Sequence, residues 1–175
     1  MVVKRQSSVD HVQIRVTHEA PSGEGFVSVT GTDVDPVDIK SPTVNNSTDC
    51  NGFTNPSNAH TSNNLYATAV ADVGFFATMY KTFGFTIPVD NNITKVELLV
   101  EWVGNMTGIT IALDLGTPGT PDTCGNFVSY ASGSVADRLS EGTDIIDITS
   151  QRSWIPSDFD NANLRFLLNA LHGVV

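Results

Sequence analysis

The side chains most able to do chemistry are scattered along this chain. Histidine occurs at His11, His18, His60 and His172. No two of them keep the His-Glu-x-x-His spacing that puts two imidazoles on one metal. His11 and His18 fall on opposite faces of a strand-like segment, so structural roles are expected for them. Glu97 and Glu101 share a strand face, as the paired carboxylates of a glycoside hydrolase would. The plainer reading is a solvated or intersubunit face. Asp33, Asp35 and Asp38 lie in GTDVDPVD, where hard oxygen ligands could gather round calcium. The spacing is not that of an EF-hand, and an ordinary acidic turn is the simpler account. Trp102 and Trp154 could form a sugar platform, although Trp102 falls on the inward face of its strand and core packing fits both. There is no Gly-x-Ser-x-Gly elbow and no Gly-rich phosphate loop. The chain is therefore expected to be no enzyme and to hold no cofactor or metal.

Two other residue types could be modified. Cys50 and Cys124 form an even pair, open either to one disulfide or to two free thiols; an extracellular composition favours the disulfide. Asn45, Asn46, Asn92 and Asn105 each open an Asn-x-Ser/Thr glycosylation triplet, although such triplets also arise by chance in an Asn/Thr-rich chain.

Bulk properties narrow the class. The 175 residues suggest one domain. Apolar residues make up 40%, enough for a core, while only 16% are charged against roughly 25% in an average soluble protein. The net charge of −10 and the lack of any basic cluster beyond Lys4–Arg5 argue against nucleic acid. No apolar run reaches the length of a membrane span. MVVKRQSS lacks the apolar core of a signal peptide, so the chain is expected either to be made without one or to be already cut.

The elements follow from periodicity. SSVDHVQIRVTHEA (7–20) alternates, with Val12, Ile14 and Val16 on one face and His11, Gln13, Arg15 and Thr17 on the other, as in a half-buried strand. GFVSVTG (25–31) is a short strand candidate. Residues 21–48 otherwise read as an extended, Pro- and Asn-rich linker. The body, 49–175, carries strand-like runs at 65–71, 79–87, 93–103, 109–115, 127–131, 144–149 and 163–169. This spacing predicts an all-β antiparallel sandwich. In KVELLVEW, Val96, Leu98, Val100 and Trp102 face one way. Leu99 interrupts the polar face, so both faces of that strand are expected to be covered. ANLRFLLNALHGVV fits helical spacing as well.

Three motifs carry a resemblance: FTNPSNAHTSNNLYATA (53–69), FGFTIPVDNNITKVELLVEW (83–102) and DITSQRSWIPSDFDNANLRF (147–166). In this order they resemble a jelly-roll-like β-sandwich of prokaryotic surface proteins and phage structural proteins. The resemblance spans about residues 53–169 and makes 163–169 a strand rather than a helix. It also implies a closing strand after that one. The chain reaches Val175 without it, while a matching sequence, VDHVQIRVTHEA, stands at 9–20, as in donor-strand-complemented pilins. A sandwich lacking a strand exposes an apolar groove and unpaired backbone groups, each costing roughly 1–3 kcal/mol if buried unpaired. Val9, Val12, Ile14 and Val16 are the residues expected to fill that groove, in the chain itself or in a neighbour, with the neighbour favoured. Lys4 and Arg5 would then lie near an acidic rim. Three basic and two acidic residues in the arm, 1–20, leave −11 on the rest of a chain at −10.

The resulting expectation is a structural subunit that self-assembles head to tail into an extracellular, pilus-like fibre on a prokaryotic cell. Its partners would be copies of itself and any glycan or cell surface it touches. Cys50–Cys124 would tie the start of the body to a central loop. A virion decoration or tail protein, and a carbohydrate-binding or adhesin-type module with a self-docked strand, are the alternatives.

Overall fold

The computed structural model describes residues 5–21, 35–46, 50, 52–71, 74–104, 109–116, 123–129, 131–136, 138–160 and 164–172. Among the described residues ten strands are formed: β1 (Arg5–Glu19), β2 (Val37–Lys40), β3 (Val44–Asn46), β4 (Ala67–Ala71), β5 (Gly74–Lys81), β6 (Asn92–Gly104), β7 (Ile109–Asp114), β8 (Ala131–Val135), β9 (Arg138–Asp147) and β10 (Arg165–His172). They make two antiparallel sheets of five strands each. One runs β2-β1-β6-β9, with β4 also paired to β1; the other runs β3-β5-β10-β7-β8. The sheets pack face to face as a β-sandwich, as the spacing of strand-like runs implies.

Alternation explains the core. Val96, Leu98, Val100 and Trp102 of β6 are all fully buried, as are Ile109, Ile111 and Leu113 of β7 and Phe166, Leu168 and Ala170 of β10. They form one cluster between the sheets. Leu99, on the other face of β6, is only 8% exposed, whereas Lys95 on that face is exposed and Glu101 half-buried, so the outer face is covered only around Leu99. A smaller cluster, Ala77, Met79 and Leu167, lies apart from that core and is capped by Cys50, Cys124 and Phe127. Cys50 and Cys124 are bonded, with Cα atoms 5.6 Å apart.

Several expected boundaries move. The run at 79–87 is a strand only to Lys81; Phe83, Phe85 and Ile87 still turn inward, but residues 82–88 belong to no strand. The run at 127–131 gives way to β8, and that at 144–149 begins earlier, as β9. The tail, readable as helix, is strand β10, paired to β5 and β7 along its length. Residues 21–48 are not all linker, since β2 joins one sheet and β3 the other. The strand candidate at 25–31 lies outside the described residues. Among the described residues no helix is long and apolar enough to cross a membrane.

Candidate functional site

β1 is an interior strand of its sheet, paired on both sides. Along one side it pairs with β6 from Ser7↔Gly104 to Glu19↔Asn92. Along the other, residues 5–9 meet β4 and residues 14–17 meet β2. An isolated bridge between His11 and His60 fills the gap. In the structure the strand thus completes the sheet of its own chain, where a neighbour's sheet was favoured.

Val9, Val12, Ile14 and Val16 are each 0% exposed. They stand opposite Trp102, Val100, Leu98 and Val96, the four inward side chains of β6. The step from Val9 to Val12 is odd and would put them on opposite faces. A bulge between Val9 and His11 absorbs the extra residue and restores the phase. Asp10, displaced by the bulge and only 1% exposed, accepts the backbone N–H of Asn63. At roughly 1.5–3 kcal/mol each, burying four such side chains contributes about 6–12 kcal/mol. That is comparable with the whole stability of a typical domain, about 5–15 kcal/mol. Loss of β1 is therefore expected to destabilise the rest of the described sandwich.

Polar contacts fix the other face. Arg15 Nε donates to Glu97 Oε2 at 2.7 Å, and Lys95 Nζ lies 2.8 Å from Glu97 Oε1. Burial pushes the Glu97 carboxyl up, but hydrogen bonds and charge from Lys95 and Arg15 hold it below its ordinary value. Glu97 is thus a buried, doubly paired carboxylate, where one on a solvated or intersubunit face was the plainer expectation. His11 meets the Ser41 hydroxyl at 2.8 Å. Its pKa is lowered by burial, against the opposing charges of Glu101 and Asp10. His18 meets Asp38 at 3.4 Å and Asn91 at 2.7 Å, so the two histidines of β1 make separate contacts. His60 stands edge-on to Tyr80, and burial lowers its pKa too.

The remaining candidates do not converge. Trp102 donates to Asp144 and is fully buried; Trp154 donates to the carbonyls of Ile148 and Thr149 and is 7% exposed. Neither presents a face to a sugar. Asp38 is taken up with His18 and Lys40, Asp35 is exposed, and Asp33 lies outside the described residues. Asn45 and Asn46 are half-buried in β3, opposite Tyr80 and Met79, whereas Asn92 is exposed at the start of β6. Asn105 and Lys4 lie outside the described residues, and of Arg5 only the backbone pairing with Ala71 is described.

Two features escaped the sequence reading. Carboxylate oxygens of Asp10, Glu101 and Glu141 lie within 4.8 Å of one another, gathered from a bulge and two strands. Glu141 also accepts the Tyr66 hydroxyl at 2.9 Å. The other feature is an open cleft of about 330 Å³ between residues 85–89 and 156–160. Its floor is Phe85 and Phe159, edge to face at 5.5 Å, and Val89, Ser157 and Asp160 line its sides. Alternation of Phe83, Phe85 and Ile87 was the available signal for one wall.

No protein-family model matches the chain, and comparison with curated proteins and with solved structures returns no match.

Proposed function

We propose that the chain is a non-enzymatic structural subunit that polymerises by exchange of β1 between copies, building an extracellular fibre on a prokaryotic cell. The observation that carries this reading is the seat of β1: four fully buried side chains and pairing on both sides, on a strand that residues 20–36 separate from β2. A neighbour's β1 can make the same contacts, so exchange costs little beyond the hinge. Seventeen residues, 20–36, join β1 to β2. Extended, they span up to roughly 55 Å, more than the roughly 40 Å of the thirteen-residue β6. A donated strand can therefore reach a copy stacked end to end. The sequence resemblance to a β-sandwich of prokaryotic surface and phage structural proteins, with its closing strand displaced as in donor-strand-complemented pilins, is in keeping with this reading, and the bonded cysteines are compatible with an extracellular setting.

The test is assembly. Full-length protein, unfolded and refolded at high concentration, is expected to form polymers visible by electron microscopy and sedimentation. A chain lacking residues 1–20 is expected to be unstable and to be rescued by a peptide of residues 7–20. A full-length chain that stays monomeric after refolding and takes up no labelled peptide would overturn the reading in favour of a self-docked module.

A further inference from the structure

Of the Asn-x-Ser/Thr triplets, that of Asn92 lies wholly within the described residues, and a local irregularity turns it outward. Val96, Leu98, Val100 and Trp102 face the core, so unbroken alternation along β6 would aim Thr94 and Asn92 inward too. The register shifts there. Thr17 pairs with Lys95 but His18 with Ile93, which leaves Thr94 as the extra residue of a bulge. Ile93 therefore packs against the core, while Asn92 and Thr94 are exposed.

The groups a sugar transfer needs are open at this spot. Asn91 meets His18 through its amide at 2.7 Å and donates its backbone N–H to Pro88. Among the described residues, no hydrogen bond engages the amide of Asn92. Thr94 Oγ1 makes one long bond, 3.3 Å, to the Thr17 carbonyl, which leaves its acceptor lone pairs open. Asp90, two residues before Asn92, is exposed. Thr43, Val44 and Val103 stand at that place before Asn45, Asn46 and Asn105. A carboxylate there offers a modifying enzyme a charge-assisted contact that the other triplets lack. Asn45 and Asn46 are half-buried where β3 pairs with β5.

We propose that Asn92 is an N-glycosylation site, and that the group it receives is an oligosaccharide carried on a lipid phosphate or diphosphate. The transfer breaks the bond between sugar C1 and the phosphate oxygen and forms one between C1 and Asn92 Nδ2. The amide loses one proton, and the lipid phosphate leaves with the bonding electrons. Thr94 and Asp90 are read by the transferring enzyme, not by the sugar. The site rests on the extracellular part of the reading above, because such transfer accompanies export. It leaves the seat of β1 untouched, since Asn92 stands opposite Glu19, beyond Val16.

The experiment takes full-length protein from the cells that make it, cuts it with trypsin and maps the peptides by mass spectrometry. Peptide 82–95 holds Asn92 and no other triplet. A glycan mass is expected on that peptide, and Asn92→Gln is expected to abolish it without changing the melting temperature. Thr94→Val is expected to lose the glycan and Thr94→Ser to keep it, a dependence on the hydroxyl that a merely structural bulge would not show. Asp90→Ala is expected to lower the occupancy. An unmodified peptide 82–95 in exported protein, or glycans only at Asn45, Asn46 or Asn105, would overturn the site. Polymers built from unmodified chains would keep the fibre and remove the site. A glycan at Asn92 on chains that stay monomeric would keep the site and remove the fibre.

Discussion

At the residue scale, burial decides which side chains matter. Ile14→Ala removes packing opposite Leu98 and is expected to cost about 2–5 kcal/mol in urea unfolding. Ile14→Asp adds an unpaired buried charge and is expected to abolish both folding and assembly. The buried pair of Arg165 and Asp114 behaves differently from a surface bridge. Asp114 also accepts the backbone N–H groups of Gly116 and Val128, so it ties β7 and β10 to the loop after Cys124. Asp114→Ala should cost about 3–5 kcal/mol, whereas replacing both partners with apolar residues should cost much less. A double-mutant cycle by chemical denaturation checks this. Acid acts first through histidine. His11 and His60 titrate below 6.5 in the fold because burial disfavours their charge. The stability they contribute is complete above 6.5 and is lost as pH falls from there through their folded values. Glu97, held below 4.5, adds a further loss at lower pH. Thermal melts from pH 8 to 4 are expected to show the first fall below 6.5, reduced in a His60→Gln variant.

At the element scale, legibility followed how far packing wrote itself into the side chains. β1 and β6 were readable because one face of each is wholly apolar and meets the other's. β9 was misplaced because, as an edge strand, it buries little and its sequence is mostly polar; backbone pairing to β6 defines it. β8, ASGSV, has no bulky side chains to signal a strand. Its Gly133 has a physical reason: an added Cβ would come within 2.3 Å of Ile146 Cγ2 on β9, where the two sheets meet. Gly133→Ala is therefore expected to cost about 1–3 kcal/mol, read as a lowered melting temperature. The cleft was illegible because its walls come from segments about seventy residues apart. The acidic group at Asp10 was hidden because nothing local in VDHV announces a bulge. The disulfide could be paired from its count but not placed. It closes a separation of 74 residues over the small outer cluster, and Cys50→Ala with Cys124→Ala should lose about 4 kcal/mol under non-reducing denaturation.

At the scale of the whole molecule, β1 sits inside the sheet of its own chain, and the proposed polymer would seat the same strand in a neighbour's. Dependence on β1 predicts that dissociation and unfolding are coupled in an exchanged polymer. Dilution alone is then expected to release subunits slowly, on the timescale of unfolding, and added denaturant to speed release steeply; time-resolved light scattering checks this. The bulge at Asp10 has a mechanical meaning for such a polymer. Because the inward set is spaced 3, 2, 2 rather than evenly, sliding an incoming strand by two residues brings Val12 to no pocket made for it and drives His11 or Asp10 toward the core. The strand is thus a key with one uneven tooth. In the proposed polymer every joint would then have the same axial offset, and a fibre built from many copies would accumulate no error in its repeat.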